Sequence, residues 1–315
     1  MTISNNLGIK EEESRLFIYN DIYKETQVLE THNISTGLFS EVYLITTDKG
    51  TEVIRFQADG VIAEATVLDL WRGKGAPVAE TIAVGKLDDR AYIRLNPVLH
   101  GNDLALPATH YLRSGELSRE TIQIYTLEQL AKMHQCVTTG FGLFSDQTGP
   151  GYECNTWSEY VAQYLQSRGS FLTGELGIDD STLEKLNILA TKNYPTESVF
   201  CNGDYSANNL LVTQIKPLSG VFIDPRPIKS HPYYDLSMLV NGIEAATGQQ
   251  LDLESDPRFK AYSVGANHGK YDMELMNLYR TFTILEQLNI SRIRGAETMY
   301  YSYEKLLKEL LESLH

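Results

Sequence analysis

Short β-rich runs crowd the first third of this 315-residue chain and thin out afterwards, and that segregation limits the folds open to it. From Gln27 the runs are QVLETHNIS, TGLFSEVYLITT and TEVIRFQ. Asp48-Lys49-Gly50 separates the last two and has the composition of a hairpin turn. VIAEATVLDLWR, residues 61–72, carries helical spacing, and Gly73 and Gly75 end it. AETIAVGKL and RAYIRLNPVL then read as two further strands around Asp88-Asp89. Residues 27–99 are therefore expected to form a small antiparallel sheet carrying one helix.

After His100-Gly101-Asn102-Asp103 the pattern turns helical. Residues 118–135 open with Ser-x-x-Thr and repeat apolar residues at helical spacing. Residues 156–168, 180–192 and most of 232–315 read as helices, as does a mixed pattern at 10–24. The Gly-rich stretch 140–154 reads as a loop, and SVFC, NLLV and GVFI are short apolar runs. The expected fold class is α+β, with a lobe at 1–100, a lobe at 101–315 and a connector near 96–106.

Composition excludes several functions. Lys and Arg total 27 against 41 Asp and Glu, a net charge of −14 spread over both halves. Such a chain repels phosphate backbones, so no nucleic-acid partner is expected. No apolar stretch approaches the roughly 18 residues that span a bilayer, so no membrane partner is expected either. The opening MTISNNLGIKEEES lacks a signal pattern, and the three cysteines, Cys136, Cys154 and Cys201, form no CxxC pair. The expected location is cytoplasmic. The acidity has two readings, ordinary solubility and a field that attracts a cationic substrate, and the first carries more weight.

The segment 199–239, VFCNGDYSANNLLVTQIKPLSGVFIDPRPIKSHPYYDLSML, holds the chemistry. One strand ends in Asn202-Gly203-Asp204, Asn209 heads NLLV, and GVFI delivers Asp224 into a Pro-rich turn. Carboxylates and a carboxamide at strand ends suit magnesium, a hard cation that keeps phosphate oxygens in its shell. Asp204 can take the proton of an attacking hydroxyl, while Asn209 and Asp224 hold metal ions that bridge nucleotide phosphates. Asp and Asn also favour plain turns. Strand context and spacing together weigh against that simpler explanation.

Asn202-Gly203-Asp204-x-x-x-x-Asn209 followed by Ile223-Asp224 resembles the HGDxxxxN…D core of the aminoglycoside phosphotransferase and choline-kinase-like superfamily. LEQLAKMHQ at 127–135, GFGLFSD…GYECNTWSEYV at 140–161 and DPRPIKSHPYYDLS at 224–237 are similar to further segments of that family. The resemblance covers roughly residues 30–240. It implies a two-lobed protein-kinase-like fold, with a small antiparallel β-sheet lobe, a larger mainly helical lobe and a nucleotide between them. It implies Asp204 as catalytic residue, Asn209 and Asp224 as magnesium ligands, and Asp235 as the residue that steadies the catalytic loop. In the small lobe, Gly37 and Ser40 fall where the family covers the phosphates. Arg55 falls where it has a cation facing them, and Glu64 where the helix carboxylate pairs with that cation. Read alone, Arg55 and Glu64 are two surface charges of little weight. Three departures stand out: Asn202 replaces the usual His, Pro225 and Arg226 follow Asp224, and Arg replaces Lys at 55.

The expected activity is transfer of the γ-phosphate of ATP or GTP to a hydroxyl of a small molecule, with Mg2+ as cofactor. The Gly-rich and Trp-containing linker favours an aminoglycoside-like or other cationic antibiotic. A metabolite kinase acting on an amino alcohol, sugar or amino acid is the first alternative, and a non-catalytic nucleotide-binding scaffold the second. His134 and His231 read as packing and turn residues. Tyr160, Tyr164, Tyr233, Tyr234 and Tyr271 have the spacing of either core or pocket.

Overall fold

Alternation along the strands of the small lobe decides which side chains meet the rest of the molecule. The computed structural model describes residues 18, 22–34, 40–57, 60–87, 90–145, 153–192, 197–267, 269–293 and 297–313. Strands β1 (Val28–Asn33), β2 (Glu41–Thr47), β3 (Gly50–Gln57), β4 (Thr81–Leu87) and β5 (Arg90–Leu95) pair antiparallel in the order β1-β2-β3-β5-β4. Thr47 pairs with Gly50 across the expected hairpin turn. On one face Tyr43, Ile45, Ile54 and Phe56 pack with Ile18 and Tyr23. On that face too, Arg94 grips Glu52 through two nitrogens at 2.7 and 2.9 Å, and the Tyr23 hydroxyl donates to Glu52 at 2.8 Å. The period of two sends Arg55 to the other face, where helix α1 (Val61–Gly73) lies between β3 and β4 in sequence.

The larger lobe adds α2 (Ala108–Ser114), α3 (Arg119–Met133), α4 (Trp157–Ser170) and α5 (Asp180–Lys192). It ends with α6 (Tyr233–Thr247), α7 (Pro257–Ala266), α8 (Met273–Ile293) and α9 (Glu297–Ser313). Helix starts follow capping chemistry. The Ser118 hydroxyl accepts from Thr121 N at 3.1 Å, and Thr156 with Glu159 forms a reciprocal capping box on α4. Helix α4 runs into a π-helical turn at Phe171–Glu175. Small strands thread between the helices: β6 (Leu99–His100), β7 (Asp103–Leu104), β8 (Leu106–Pro107), β9 (Val137–Thr138) and β10 (Gly142–Leu143). They are followed by β11 (Ser198–Cys201), β12 (Leu210–Gln214), β13 (Ser219–Phe222) and β14 (Ile228–Ser230). These form the sheets β10-β14-β11-β9 and β13-β12-β8 and the hairpin β6-β7.

The expected loop at 140–154 is in part a strand. Gly142 and Leu143 pair with β14, and Phe141 bridges Cys154. The β14 partners of Gly142 and Leu143 lie far away in sequence, so local composition could not reveal that strand. Residues 146–152 lie outside those described, as does most of the helical pattern expected at 10–24. No described helix is long and apolar enough to cross a membrane.

One apolar core runs through both lobes, from Trp71, Val78 and Ile93 to Leu130, Phe222 and Tyr279. The link after α1 fastens them together. Phe222 N donates to Pro77 O at 2.8 Å and Ala79 N to Phe222 O at 3.0 Å. Strand β13, which leads into Asp224, is thus tied to the small lobe.

The helical lobe contains a buried ion pair, Arg280 with Glu244, at 4% and 7% exposure. Asn241 ties into it, accepting from Arg280 Nε at 3.0 Å and donating to Arg280 O at 2.9 Å. Removing one partner strands a charge in the interior. Arg280→Met should therefore lower unfolding free energy by about 3–5 kcal/mol in urea titrations, and Arg280→Met with Glu244→Leu should recover most of it.

Candidate active site

Strand β11 ends at Cys201, and the chain then turns sharply because a buried carboxylate collects the amides of the next two residues. Asp235, in the first turn of α6, is fully buried. Its Oδ2 accepts from Asn202 N at 2.7 Å and its Oδ1 from Gly203 N at 2.9 Å. The positive end of the α6 dipole favours the anion there. His134 Nε2 lies 3.0 Å from Asp235 Oδ2, and His134 Nδ1 lies 2.8 Å from the Tyr262 hydroxyl. Asp235 therefore occupies the steadying position expected of it, and His134 packs behind the loop rather than facing a reactant. Tyr262 was not legible as part of this support, because 128 residues separate it from His134. The donors of His134, Cys201 and Asp235 lie within 4.8 Å of one another. Hydrogen bonds already engage both His nitrogens and both Asp oxygens, so the cluster acts as loop support.

Gly203 has φ +70°, and a Cβ there would strike the Arg226 carbonyl oxygen. Arg226 N in turn donates to Asn202 O at 2.9 Å, so the Asn202–Asp204 loop and the turn after β13 lie back to back. Asn202, 1% exposed, receives Asp204 N on its Oδ1 at 3.0 Å. The neutral carboxamide thus holds the loop where the family pattern has His.

Asp204 and Asn209 are joined through the same turn. Asn209 Nδ2 donates to Asp204 O at 2.9 Å, and Asn209 O accepts from Ile223 N at 2.9 Å. The side-chain nitrogen is committed to the loop, which leaves the carboxamide oxygen, a hard donor, for a cation. Asp224 takes a left-handed φ of +51°, a strained setting for a side chain with a Cβ. Its side chain is 49% exposed.

Arg55 and Glu64 are not surface charges. They form a buried ion pair at 5% and 2% exposure, and Arg55 also donates from Nη1 to Asp224 Oδ1 at 2.6 Å. Arg55 therefore bridges the sheet lobe and the Asp224 turn. Burial pushes the Glu64 carboxyl up to about 7, against the opposing pull of Arg55. Arg55 Nε and Glu64 Oε1 are buried without hydrogen-bond partners among the described residues. Ser40 is half-buried directly before β2, and Gly37 lies outside the described residues. The structure thus gathers Arg55, Glu64 and Asp224 in one cluster and Asp204 with Asn209 in an adjoining turn.

Comparison with known proteins identifies the family and the fold. The model of the phosphotransferase enzyme family, APH, matches residues 31–272. No curated protein matches the sequence. Among solved structures, the aminoglycoside phosphotransferase APH(4)-Ia aligns with TM-score 0.65 at 16% identity, over 97% of this chain and 99% of its own. A thermostable mutant of that enzyme, in ternary complex with AMP-PNP and hygromycin B, aligns with TM-score 0.63 at 16% identity, over 91% and 95%. A protein proposed to be a fructosamine-3-kinase, from Haemophilus somnus 129PT, aligns with TM-score 0.58 at 14% identity, over 92% of each chain. Identities this low speak to the fold, which is the two-lobed kinase-like one. With 242 consecutive positions spanned by the family model, this chain belongs to the phosphotransferase enzyme family.

Proposed function

We propose that the protein transfers the γ-phosphate of a nucleoside triphosphate, ATP or GTP, to a hydroxyl of a small molecule. The observation that carries this reading is the Arg55 bridge: one buried cation meets both a helix carboxylate and the Asp224 turn. A cation so fixed has little structural reason to reach Asp224 unless phosphate is handled there. The hydrogen-bonded turn joining Asp204 to Asn209 supports it. So do the nucleotide and antibiotic in the ternary complex of a similar structure.

Magnesium fits the oxygen donors available, the Asp224 carboxylate and the Asn209 carboxamide oxygen, and when bound it neutralises phosphate charge. The remaining work belongs to side chains of this chain. Arg55 orients the phosphates, held by Glu64. Asp204 accepts the acceptor's hydroxyl proton as the new O–P bond forms. The bond to the β–γ bridging oxygen breaks, and a nucleoside diphosphate leaves. Gly37 and Ser40 are assigned to covering the phosphates by their sequence position. The division into lobes at 1–100 and 101–315 puts these nucleotide contacts in the first and the transfer groups in the second. The catalytic arrangement favours turnover over a nucleotide-binding scaffold, since each expected position carries a competent side chain.

Four substitutions test the assignments. Asp224→Ala should abolish magnesium-dependent nucleotide consumption in a folded protein, and wild-type turnover would remove Asp224 as a ligand. Asp204→Asn keeps size and hydrogen bonding but loses the charge, so kcat should fall by about 10²-fold or more with nucleotide affinity little changed. Arg55→Ala should raise the nucleotide KM about tenfold or more. It should also destabilise the fold by about 3–5 kcal/mol, because Glu64 is left buried and unpaired. Adding Glu64→Gln should restore stability and leave the nucleotide KM high, which separates the two roles of Arg55.

A further inference from the structure

A second set of side chains meets the catalytic loop from the helical lobe. Tyr160 and Tyr164 stand one turn apart on α4, with ring centroids 6.5 Å apart and exposures of 7% and 8%. Neither hydroxyl has a hydrogen-bond partner among the described residues. Tyr234 on α6 donates its hydroxyl to Glu286 on α8. Into this group comes Arg226, whose backbone is stitched to Asn202. The carboxylates of Glu286 and, less strongly, Asp204 act on its guanidinium and favour its charged form.

Arg226 differs from the paired arginines of the chain. Arg55, Arg72, Arg94, Arg258, Arg280 and Arg292 each pair with a carboxylate. Arg226 makes no hydrogen bond or ion pair through its side chain among the described residues, although Glu286 is near, and it is exposed. Arg168, at the end of α4, adds a second positive charge acting on Tyr160 and Tyr164. In a protein with net charge −14, the face beside Asp204 thus presents a free guanidinium. A guanidinium is a planar fork of donors that matches a carboxylate in a two-point contact. A polycation brought to the same place would meet like charge, which selects against it.

We propose that Arg226 anchors a carboxylate of the acceptor, so that the substrate is a hydroxyl-bearing acid or zwitterion of amino-acid-like charge rather than a polycationic antibiotic. Glu286, held by Tyr234, faces the acceptor's ammonium where one is present, and the free hydroxyls of Tyr160 and Tyr164 complete the polar wall. The inference rests on the phosphotransferase reading above and names its substrate class. It departs from the cationic acceptor that the Gly-rich and Trp-containing linker favours, because a guanidinium beside the loop, rather than the molecule's total charge, meets the acceptor.

The test uses the full chain with magnesium and ATP and two groups of acceptors: L-serine, L-threonine and glycerate against ethanolamine, choline and kanamycin. Nucleotide consumption above the acceptor-free rate should appear with carboxylate-bearing members. Arg226→Met should raise the acceptor KM about tenfold or more, with the nucleotide KM moved less than twofold. Arg226→Glu should shift preference toward ethanolamine or choline. Faster turnover of any cationic member by the wild type overturns the inference. An equal rise of both KM values in Arg226→Met also overturns it, because the guanidinium then serves the phosphates. Nucleotide binding without stimulation by any carboxylate-bearing member removes the acceptor assignment alone. Absence of magnesium-dependent nucleotide binding removes the phosphotransferase reading, and the inference with it.

Discussion

The fully buried carboxylate of Asp235 is the interaction on which the site depends. An ion in the interior is tolerated only when its lone pairs are filled, and here two loop amides and His134 fill them. The same bonds fix the direction in which the chain leaves β11. Asp204 follows directly, and its own amide is held by Asn202. Every later step, from the Asn209 turn to the close approach of Gly203 and Arg226, inherits its position from that buried ion.

A second constraint acts across the lobes. Phe222 pairs with the link after α1, so β13 cannot shift without moving the small lobe. Asp224 lies two residues beyond Phe222, and Arg55 reaches it from β3. The backbone tie sets the lobes at a separation that the side-chain bridge can span. Burial of Arg55 and Glu64 then makes the bridge specific, since in a poorly solvated setting each charge needs the other. Strain at Asp224, with its left-handed φ, is accommodated in this tightly fixed turn.

Charge illustrates how total and local properties separate. Carboxylates exceed cations throughout the sequence, yet most of the named arginines are neutralised in pairs and Arg226 is not. An acceptor close to Asp204 responds to the few groups within a Debye length, about 8–10 Å, more than to distant surface charge. Under the proposed carboxylate anchor, net charge is a poor guide to the acceptor.

Much was legible in the chain itself. The hairpin at Asp48–Gly50, α1 ending at Gly73, and α3 opening at Ser118 follow from local turn and capping chemistry, which needs only neighbours in sequence. The spacing of Asp204, Asn209 and Asp224 was equally readable, because a strand–turn–strand brings residues so spaced together. Other features required the tertiary structure. β10 exists only because β14 supplies its partners, and Tyr262 supports His134 from a helix far along the chain. The contact of Arg55 with Asp224 spans 169 positions. The seating of the Arg226 backbone against Asn202, and of Tyr234 against Glu286 52 positions away, likewise depends on packing of elements apart in sequence. Sequence determines contacts whose geometry is local, whereas packing of distant elements decides which charge remains unpaired and where it faces.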